Sequence, residues 1–357
     1  MFKRSLVKKS LVGLDIGSSS VKAVELQGKP GALSLASLGF APLQPDTVVD
    51  GQIMELNDVS HVISAVFRSQ QIKTERVAAG VSGSSVIVKN IIVPQMTREE
   101  LEESIDWHAE EHIPFDISDV SLDYQVVGSG PDSLHVLMAA CKRDFVANLK
   151  QAIQLAGKQP AIIDVDAFAL QNCYEVNYQP PDELVVALLN IGASTMNINI
   201  LKGTRSVFTR DVSVGGNQYT ALLQKELGMT YEQAEMMKRG GGAAASAESA
   251  EEADVDGVLE TVSDMLALEI SKTFDFYRAT ADDNEAAVQR ILISGGGSKL
   301  KGLPEFLAQR FEIVVERLDP FRRISVDARR FDPDYMSEVM PEMAVAVGLA
   351  LRGVEAS

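Results

Sequence analysis

The chain has 357 residues, 50 acidic against 33 basic, a net charge of -17, and 46% apolar and 23% charged residues. This is ordinary globular usage with enough apolar surface to exclude disorder over most of the length, and the length predicts about two domains. The negative balance, with no long basic stripe interleaved with aromatics, excludes strong non-specific nucleic-acid binding.

Two cysteines, Cys141 and Cys173, can make neither a disulfide framework nor a four-ligand zinc site; buried inert thiols in a reducing compartment are expected. The longest charge-free run, Leu184 to Leu201, contains Asn190, Ser194, Thr195, Asn197 and Asn199. It is too polar for a bilayer core, where a span needs ~20 mainly apolar residues. Lys3, Arg4, Lys8 and Lys9 precede an apolar stretch, but Asp15 interrupts it and no small-residue cleavage site follows. A signal peptide is therefore not expected, and a cytosolic protein is.

Taken in order, Leu11 to Gln27 reads as two strands joined by the polar turn Gly17-Ser18-Ser19-Ser20, with a third strand around Ala32 to Phe40. Ser60 to Ser69 has helical spacing, and Ala78 to Val93 is β-rich. Thr97 with Glu100 predicts a capping box, opening a helix to about His112 that Pro114 stops. Strands are predicted over Val120 to Val127 and Leu134 to Cys141, then a helix from Arg143 to Ala156, closed by Gly157. Helix-strand-strand-helix makes an inserted subdomain.

The opening theme then returns. Leu184 to Leu201 again gives strand, small-polar turn and strand, and both copies share an Ile-Gly turn followed by hydroxyl residues. This is an internal repeat of about 180 residues, too long for a solenoid period, and it predicts two related halves facing each other. Thr204 to Val214 supplies a third strand, and Gly215-Gly216 opens a helical region to Lys238. The Gly-, Ala- and acid-rich stretch Arg239 to Gly257 is expected to be a mobile surface loop. A long amphipathic helix over Val258 to Thr280, a buried strand into the glycine turn Gly295-Gly296-Gly297, a short helix over Leu303 to Phe311, an irregular stretch from Arg317 to Met340 and a small-residue helix over Glu342 to Arg352 complete the chain.

A turn such as Asp-Ile-Gly-Ser-Ser-Ser exposes successive backbone N–H groups beside hydroxyls, which makes a phosphate nest, and Gly17 permits close approach. Two such turns, one per half, would grip a polyphosphate from both sides, and the third, glycine turn with Ser298 would let backbone approach a flat group. One Gly/Ser turn is weak evidence; the ordered set of three is far more specific.

The order GLDIGSSSVK, LLNIGASTMNI, ILISGGGSKLKG, PEMAVAVGLALR resembles the actin-like ATPase superfamily over nearly the whole chain. Within it, the segments EEHIPFDISDVSLDYQVV, LMAACKRDFV, IDVDAFAL, RDVSVGGNQYT and YEQAEMMKRGG resemble the PilM family of type IV pilus assembly proteins, and the insertion resembles the relocated subdomain of the FtsA family. The resemblance implies an α/β, actin-like (ribonuclease H-like, duplicated) two-domain fold with an FtsA-like inserted subdomain. The first domain would occupy residues 1–92, continued by 158–187 and 339–357, the insertion 93–157 and the second domain 188–338, with the loop 239–257. It also implies ATP with Mg²⁺. Asp15 would organise the Mg²⁺ hydration shell, and a hard cation that keeps several waters suits one carboxylate plus phosphate oxygens. Gly17, Ser18, Ser19, Ser20 and Lys22 would hold phosphates, opposed by Asn190, Gly192, Ala193, Ser194 and Thr195. Gly215, Gly216, Glu235, Lys238, Gly296, Gly297 and Ser298 would contact adenosine. The superfamily pattern at the second turn is Asp-Ile-Gly, and this chain has Asn190-Ile191-Gly192. An amide supplies no carboxylate base and no charge to Mg²⁺, so binding is expected and hydrolysis is expected to be slow or absent.

The implied function is a cytoplasmic ATP-binding adaptor of the pilus inner-membrane platform, peripheral to the membrane. It would bind the cytoplasmic N-terminal peptide of PilN between the insertion and the first domain, with Ile113, Phe115 and Tyr124 nominated as contacts. Other pilus assembly proteins and self-association are further partners the resemblance allows. The alternatives are an FtsA-like filament-forming ATPase and an active small-molecule kinase. Asn190 argues against the kinase. The absence of an amphipathic helix after Arg352 argues against FtsA-style anchoring, so membrane contact is expected only through partners. His108 and His112 stand at i,i+4, but Ala109 follows His108 where a zinc-protease helix needs Glu, so a solvated face is expected. Trp107 is expected to pack the insertion, with a place beside an interface groove as the alternative, and Met236-Met237 is expected in the core.

Overall fold

The computed structural model describes residues 11–239, 249–280 and 287–355. In chain order its elements are β1 (Val12–Ile16), β2 (Ser20–Lys29), β3 (Ala32–Pro42), β4 (Val48–Val49), β5 (Gln52–Ile53), α1 (Leu56–Ser69), β6 (Arg76–Val81), β7 (Val86–Pro94), α2 (Arg98–Glu110), β8 (Val120–Ser129), β9 (Ser133–Lys142), α3 (Arg143–Leu155), β10 (Gln159–Val165) and α4 (Asp166–Tyr178). Then come β11 (Val185–Ile191), β12 (Met196–Lys202), β13 (Arg205–Val212), α5 (Gly216–Leu227), α6 (Tyr231–Lys238), α7 (Ser249–Thr280), β14 (Arg290–Ser294), α8 (Leu303–Phe311), β15 (Val314–Arg317), α9 (Pro333–Val339) and α10 (Ala344–Glu355). They fall into two units, one of Met1–Val81, Ala147–Gln179 and Asp319–Ser357, the other of Ser82–Val146 and Pro180–Leu318.

The first unit is built on a five-stranded sheet in the order β10-β6-β1-β2-β3, with β1 antiparallel to β2 and parallel to β6. The apolar helix α10, rich in Ala, Val and Gly, lies close against it. A Cβ on Gly13 of β1 would sit 2.0 Å from the Ala346 carbonyl oxygen, and one on Gly348 of α10 would sit 1.7 Å from that of Ala169 in α4. Backbone meets backbone at both points, so only glycine fits. α1 buries Val59, Ile63, Val66 and Phe67, the stripe its spacing predicts.

The second unit repeats that plan: β13-β12-β11-β14-β15, with β11 antiparallel to β12 and parallel to β14. α7 covers it with Val262, Leu266, Ile270, Phe274 and Tyr277. The same unit carries a three-stranded antiparallel sheet, β7-β9-β8. α2 packs Leu101, Ile105 and Ala109 on that sheet, and the Thr97–Glu100 capping box is present in both its hydrogen bonds.

Several elements depart from the sequence expectations. Residues 249–257, expected to be loop, belong to α7, because Ser-Ala-Glu-Glu-Ala-Asp is rich in good helix formers; residues 240–248 lie outside the described residues, as do Lys3, Arg4, Lys8 and Lys9. The helical region after Gly216 is broken at Gly228, in the left-handed conformation at φ +65°, and Thr230 caps a fresh helix. A short helix, α9, interrupts the irregular stretch, capped by Asp332. No described helix is long and apolar enough to cross a membrane.

Gly348→Ala should lower stability by about 1–3 kcal/mol or more, since its Cβ meets backbone that has little room to give. Gly257→Ala, where nothing lies within 4 Å in the middle of α7, should raise it by up to about 1 kcal/mol. Urea unfolding of both variants beside wild type checks the pair.

Candidate functional site

The two hairpins are equivalent to the residue. In the first turn the Gly17 N–H donates to the Ser20 carbonyl at 3.0 Å; in the second the Gly192 N–H donates to the Thr195 carbonyl at 2.9 Å. Cross-strand register then places Asp15 opposite Lys22 and Asn190 opposite Asn197, each pair seven residues apart. In the first unit the pair is ionic, Lys22 Nζ to Asp15 Oδ2 at 3.1 Å. In the second it is an amide pair, Asn190 Nδ2 donating to Asn197 Oδ1 at 3.0 Å. The repeat has therefore exchanged both members of the charged pair. The sequence departure at Asn190 is only half of it, and Asn197 was legible from the seven-residue spacing alone.

Lys22 is buried. Burial by itself would pull its ammonium down, but the fields of Asp15, Glu342 and Asp166 outweigh that and hold it above the ordinary lysine range. Asp166 and Glu342 are thus parts of this corner that the motif reading passed over. Asp166 opens α4 directly after β10 and crowds Gly80, where a Cβ would sit 1.9 Å from its Oδ1. The Ser20 hydroxyl is buried with no hydrogen-bond partner.

In the second unit the amide pair belongs to a row that crosses the sheet. Ser294 Oγ donates to Asn190 Oδ1 at 3.3 Å, and Asn197 Nδ2 donates to Asp211 Oδ1 at 2.8 Å. Asp211 Oδ2 accepts the Gly83 N–H at 2.6 Å, just before β7. Four strands contribute one residue each, because β14, β11, β12 and β13 place Ser294, Asn190, Asn197 and Asp211 side by side. Burial pushes the Asp211 carboxyl above its ordinary value, against the hydrogen bonds from Asn197 and Gly83.

The N-terminus of α5 closes on the second turn: Gly216 N donates to Gly192 O at 2.9 Å and Asn217 N to Ala193 O at 2.7 Å. A Cβ on Gly215 would come within 2.6 Å of the Gly192 oxygen. Glu235 and Lys238, one helical turn apart on α6, form an ion pair. Lys238 Nζ also donates to Thr220 Oγ1 at 2.8 Å and to Gly216 O at 3.2 Å. Burial opposes the Glu235 charge, yet the hydrogen bonds from Lys238 and Thr220 hold its carboxyl below the usual range. The third turn is as tight. A Cβ on Gly295, at φ +83°, would meet Ile191 O at 2.4 Å and Asn190 Oδ1 at 2.8 Å, so it packs directly on the second turn. Ser298 is fully buried and its Oγ donates to Gly295 O at 2.7 Å, which leaves its side chain committed inside the turn.

The structure brings the second-half residues together as one cluster and Asp15 to Lys22 as another. It treats the peptide nominations differently. Ile113 is 6% exposed in the core between α2 and its sheet, so its side chain is not offered to a partner. Phe115 and Tyr124 are partly buried against that core, and Lys142 Nζ lies 4.5 Å over the Phe115 ring. Trp107 is not packed in the subdomain; it is 62% exposed on α2, edge-on to His108. Met236 is also exposed, while Met237 packs at the edge of a small cluster around Leu223 and Ala234. Among the described residues no group of His, Cys, Asp and Glu is placed to hold a metal ion by itself.

The profile of the type IV pilus assembly protein PilM family matches residues 13–354. The chain belongs to that family. A solved PilM-PilN type IV pilus biogenesis complex contains a chain 29% identical to this one, covering 97% of it and 98% of that chain, with a TM-score of 0.85. Escherichia coli K12 cell division protein FtsA is 25% identical over 260 residues, 65% of this chain; the match spans 60% of that relative's own length. Two more distant structures, EutJ of Carboxydothermus hydrogenoformans and MreB5 of Spiroplasma citri bound to AMPPNP, are each 13% identical, with TM-scores of 0.57 and 0.53. EutJ is matched over 96% of this chain and 89% of its own, MreB5 over 95% and 94%, and at that identity both speak for the shared actin-like fold alone. The PilM family and the actin-like fold agree with the resemblances that the sequence segments carry.

Because burial raises the Asp211 pKa, the folded state holds that proton more tightly than the unfolded chain, whose value is near 3.8. The resulting contribution is present at low pH and is lost as pH rises through the folded value. The stability of wild type relative to Asp211→Asn should therefore fall as pH rises from 4 to about 7. Urea unfolding of both proteins across that range checks it; a gap that widened with pH would mean that the two hydrogen bonds outweigh burial.

Proposed function

We propose that the chain is an ATP-binding adaptor of the type IV pilus assembly platform, placed on the cytoplasmic side of the inner membrane by binding the N-terminal segment of PilN. The observation that carries this reading is the near-full-length likeness to the PilM-PilN complex chain, at 29% identity. In it, Asp15 would hold Mg²⁺, and Gly17, Ser18, Ser19 and Ser20 would present N–H groups and hydroxyls to phosphate beside Lys22. The second unit's own candidates would be Asn190 and Gly192 to Thr195 toward phosphate and Gly215, Gly216, Glu235, Lys238, Gly296 and Gly297 toward adenosine, with Ser298 holding the third turn closed through its hydroxyl and main chain.

These residues fit a nucleotide. The Ser20 hydroxyl is a buried polar group awaiting a partner, Lys22 is a buried cation beside a nest of N–H groups, and Gly295 and Gly215 keep backbone where any side chain would intrude. ATP with Mg²⁺ would supply a polyanion for Lys22 and the turn N–H groups to neutralise. Turnover is slow in this reading because the Asn190–Asn197 pair is uncharged, and phosphoryl transfer depends on positioned charge.

Calorimetric titration of the full chain with Mg-ATP tests it. Asp15→Ala should weaken Mg-ATP binding by about 10–100-fold and affect Mg-free ATP less, since the carboxylate acts through the metal's waters. A peptide of the PilN N-terminal segment should bind wild type. Unchanged Mg-ATP affinity in Asp15→Ala would overturn the site assignment, and no binding of the PilN segment would overturn the adaptor role.

A further inference from the structure

We propose that the solvent-facing side of α2 is a docking surface for a Lys/Arg-rich protein segment, with Trp107 as its anchor. Buried Leu101, Ile105 and Ala109 fix which side of the helix faces the sheet. The opposite side carries the chain's single tryptophan among carboxylates at helical-neighbour spacing: Glu103 at i−4, Glu110 at i+3 and Glu111 at i+4, with Asp106 adjacent in sequence. Glu100 is committed to the capping box and Glu102 to Arg98. Glu103, Asp106, Glu110 and Glu111 form no ion pair among the described residues.

Three features of this face are unfavourable for the isolated helix. Asp106 and Glu110 repel at i,i+4. Glu110 and Glu111 stand at the C-terminal end, where the helix dipole disfavours anions. The indole lies largely in water. A cationic occupant relieves all of them, since Lys or Arg pairs with the carboxylates and stacks on the indole face, the strongest aromatic partner for a cation. The charge also discriminates between occupants. An anionic bilayer surface is repelled despite the usual affinity of tryptophan for membrane interfaces, and a second copy would oppose the same acids across the contact. What fits is a basic polypeptide. The inference rests on the adaptor reading in one respect: cytoplasmic segments flanking membrane spans carry excess Lys and Arg, so inner-membrane partners offer such segments.

Because Trp107 is the only tryptophan, its emission reports the contact directly in the full-length protein. Titration with the peptide Lys-Arg-Ser-Lys-Arg-Ser-Lys-Arg should give a saturable change. The Glu103→Gln, Glu110→Gln, Glu111→Gln triple variant should weaken it by on the order of tenfold, as expected for losing close charge pairs. These sites are exposed, so thermal melting should show the variant folded. A control that removes the same charge from α7 (Asp256→Asn, Glu260→Gln, Asp264→Asn) should bind as wild type does. No emission change, equal weakening in both triples, or stronger binding to phosphatidylserine vesicles than to the peptide would overturn the proposal. The PilN segment is titrated in parallel. Failure of that segment alone removes the adaptor reading and leaves the surface standing; failure of the basic peptide alone does the reverse.

Discussion

The organising constraint in this molecule is hairpin register. A glycine N–H bonded to the carbonyl three residues on fixes the turn, the turn fixes the register, and the register sets one residue opposite another seven positions away. Everything polar at the strand ends follows from that row. In one unit the row holds a buried ion pair, which is tolerable because further carboxylates surround the ammonium. In the other it holds amides, and the row extends through Ser294 and Asp211 to the backbone at Gly83. A slip of one residue would turn every one of these groups to the wrong face of its sheet.

The two solutions differ in what they can do. A charged row is poised to exchange partners with an anion and a cation. An amide row satisfies itself, each carbonyl oxygen meeting a donor, and it stiffens the region where the third turn and the start of α5 converge. Gly215 and Gly295 are required there because a Cβ on either would run into the backbone of the second turn. The two units thus keep one hairpin geometry and differ in charge at the same position.

Much of this was legible in the amino-acid order. The hairpins, the capping box at Thr97, the glycine turn and the helical stripe of α1 are local signals, and local chemistry determines them. The α/β actin-like fold came from the family resemblance that the ordered motifs carry. What escaped depended on distance in space. Trp107 and Ile113 sit six residues apart near one end of α2, one in water and one in the core, and the heavily charged, low-contrast sequence around them gives no strong apolar stripe to separate the two. Asp166, Glu342 and Asp211 are ordinary acids in sequence and acquire meaning only from what the sheet sets beside them. The start of α7 was masked by its composition, since Ala, Ser and Glu serve loops and helices alike.

Both cysteines lie inside the fold, and burial pushes the Cys141 thiol up to about 12 and that of Cys173 further still. Neither can form appreciable thiolate near neutral pH, so neither competes for maleimides, nitroxides or other soft electrophiles. The native fold therefore presents no exposed thiol to sulfur-directed reagents. A cysteine introduced at any exposed position would be the sole reactive one, which makes this fold a ready scaffold for attaching a spectroscopic probe or a crosslinker without first removing anything from its interior.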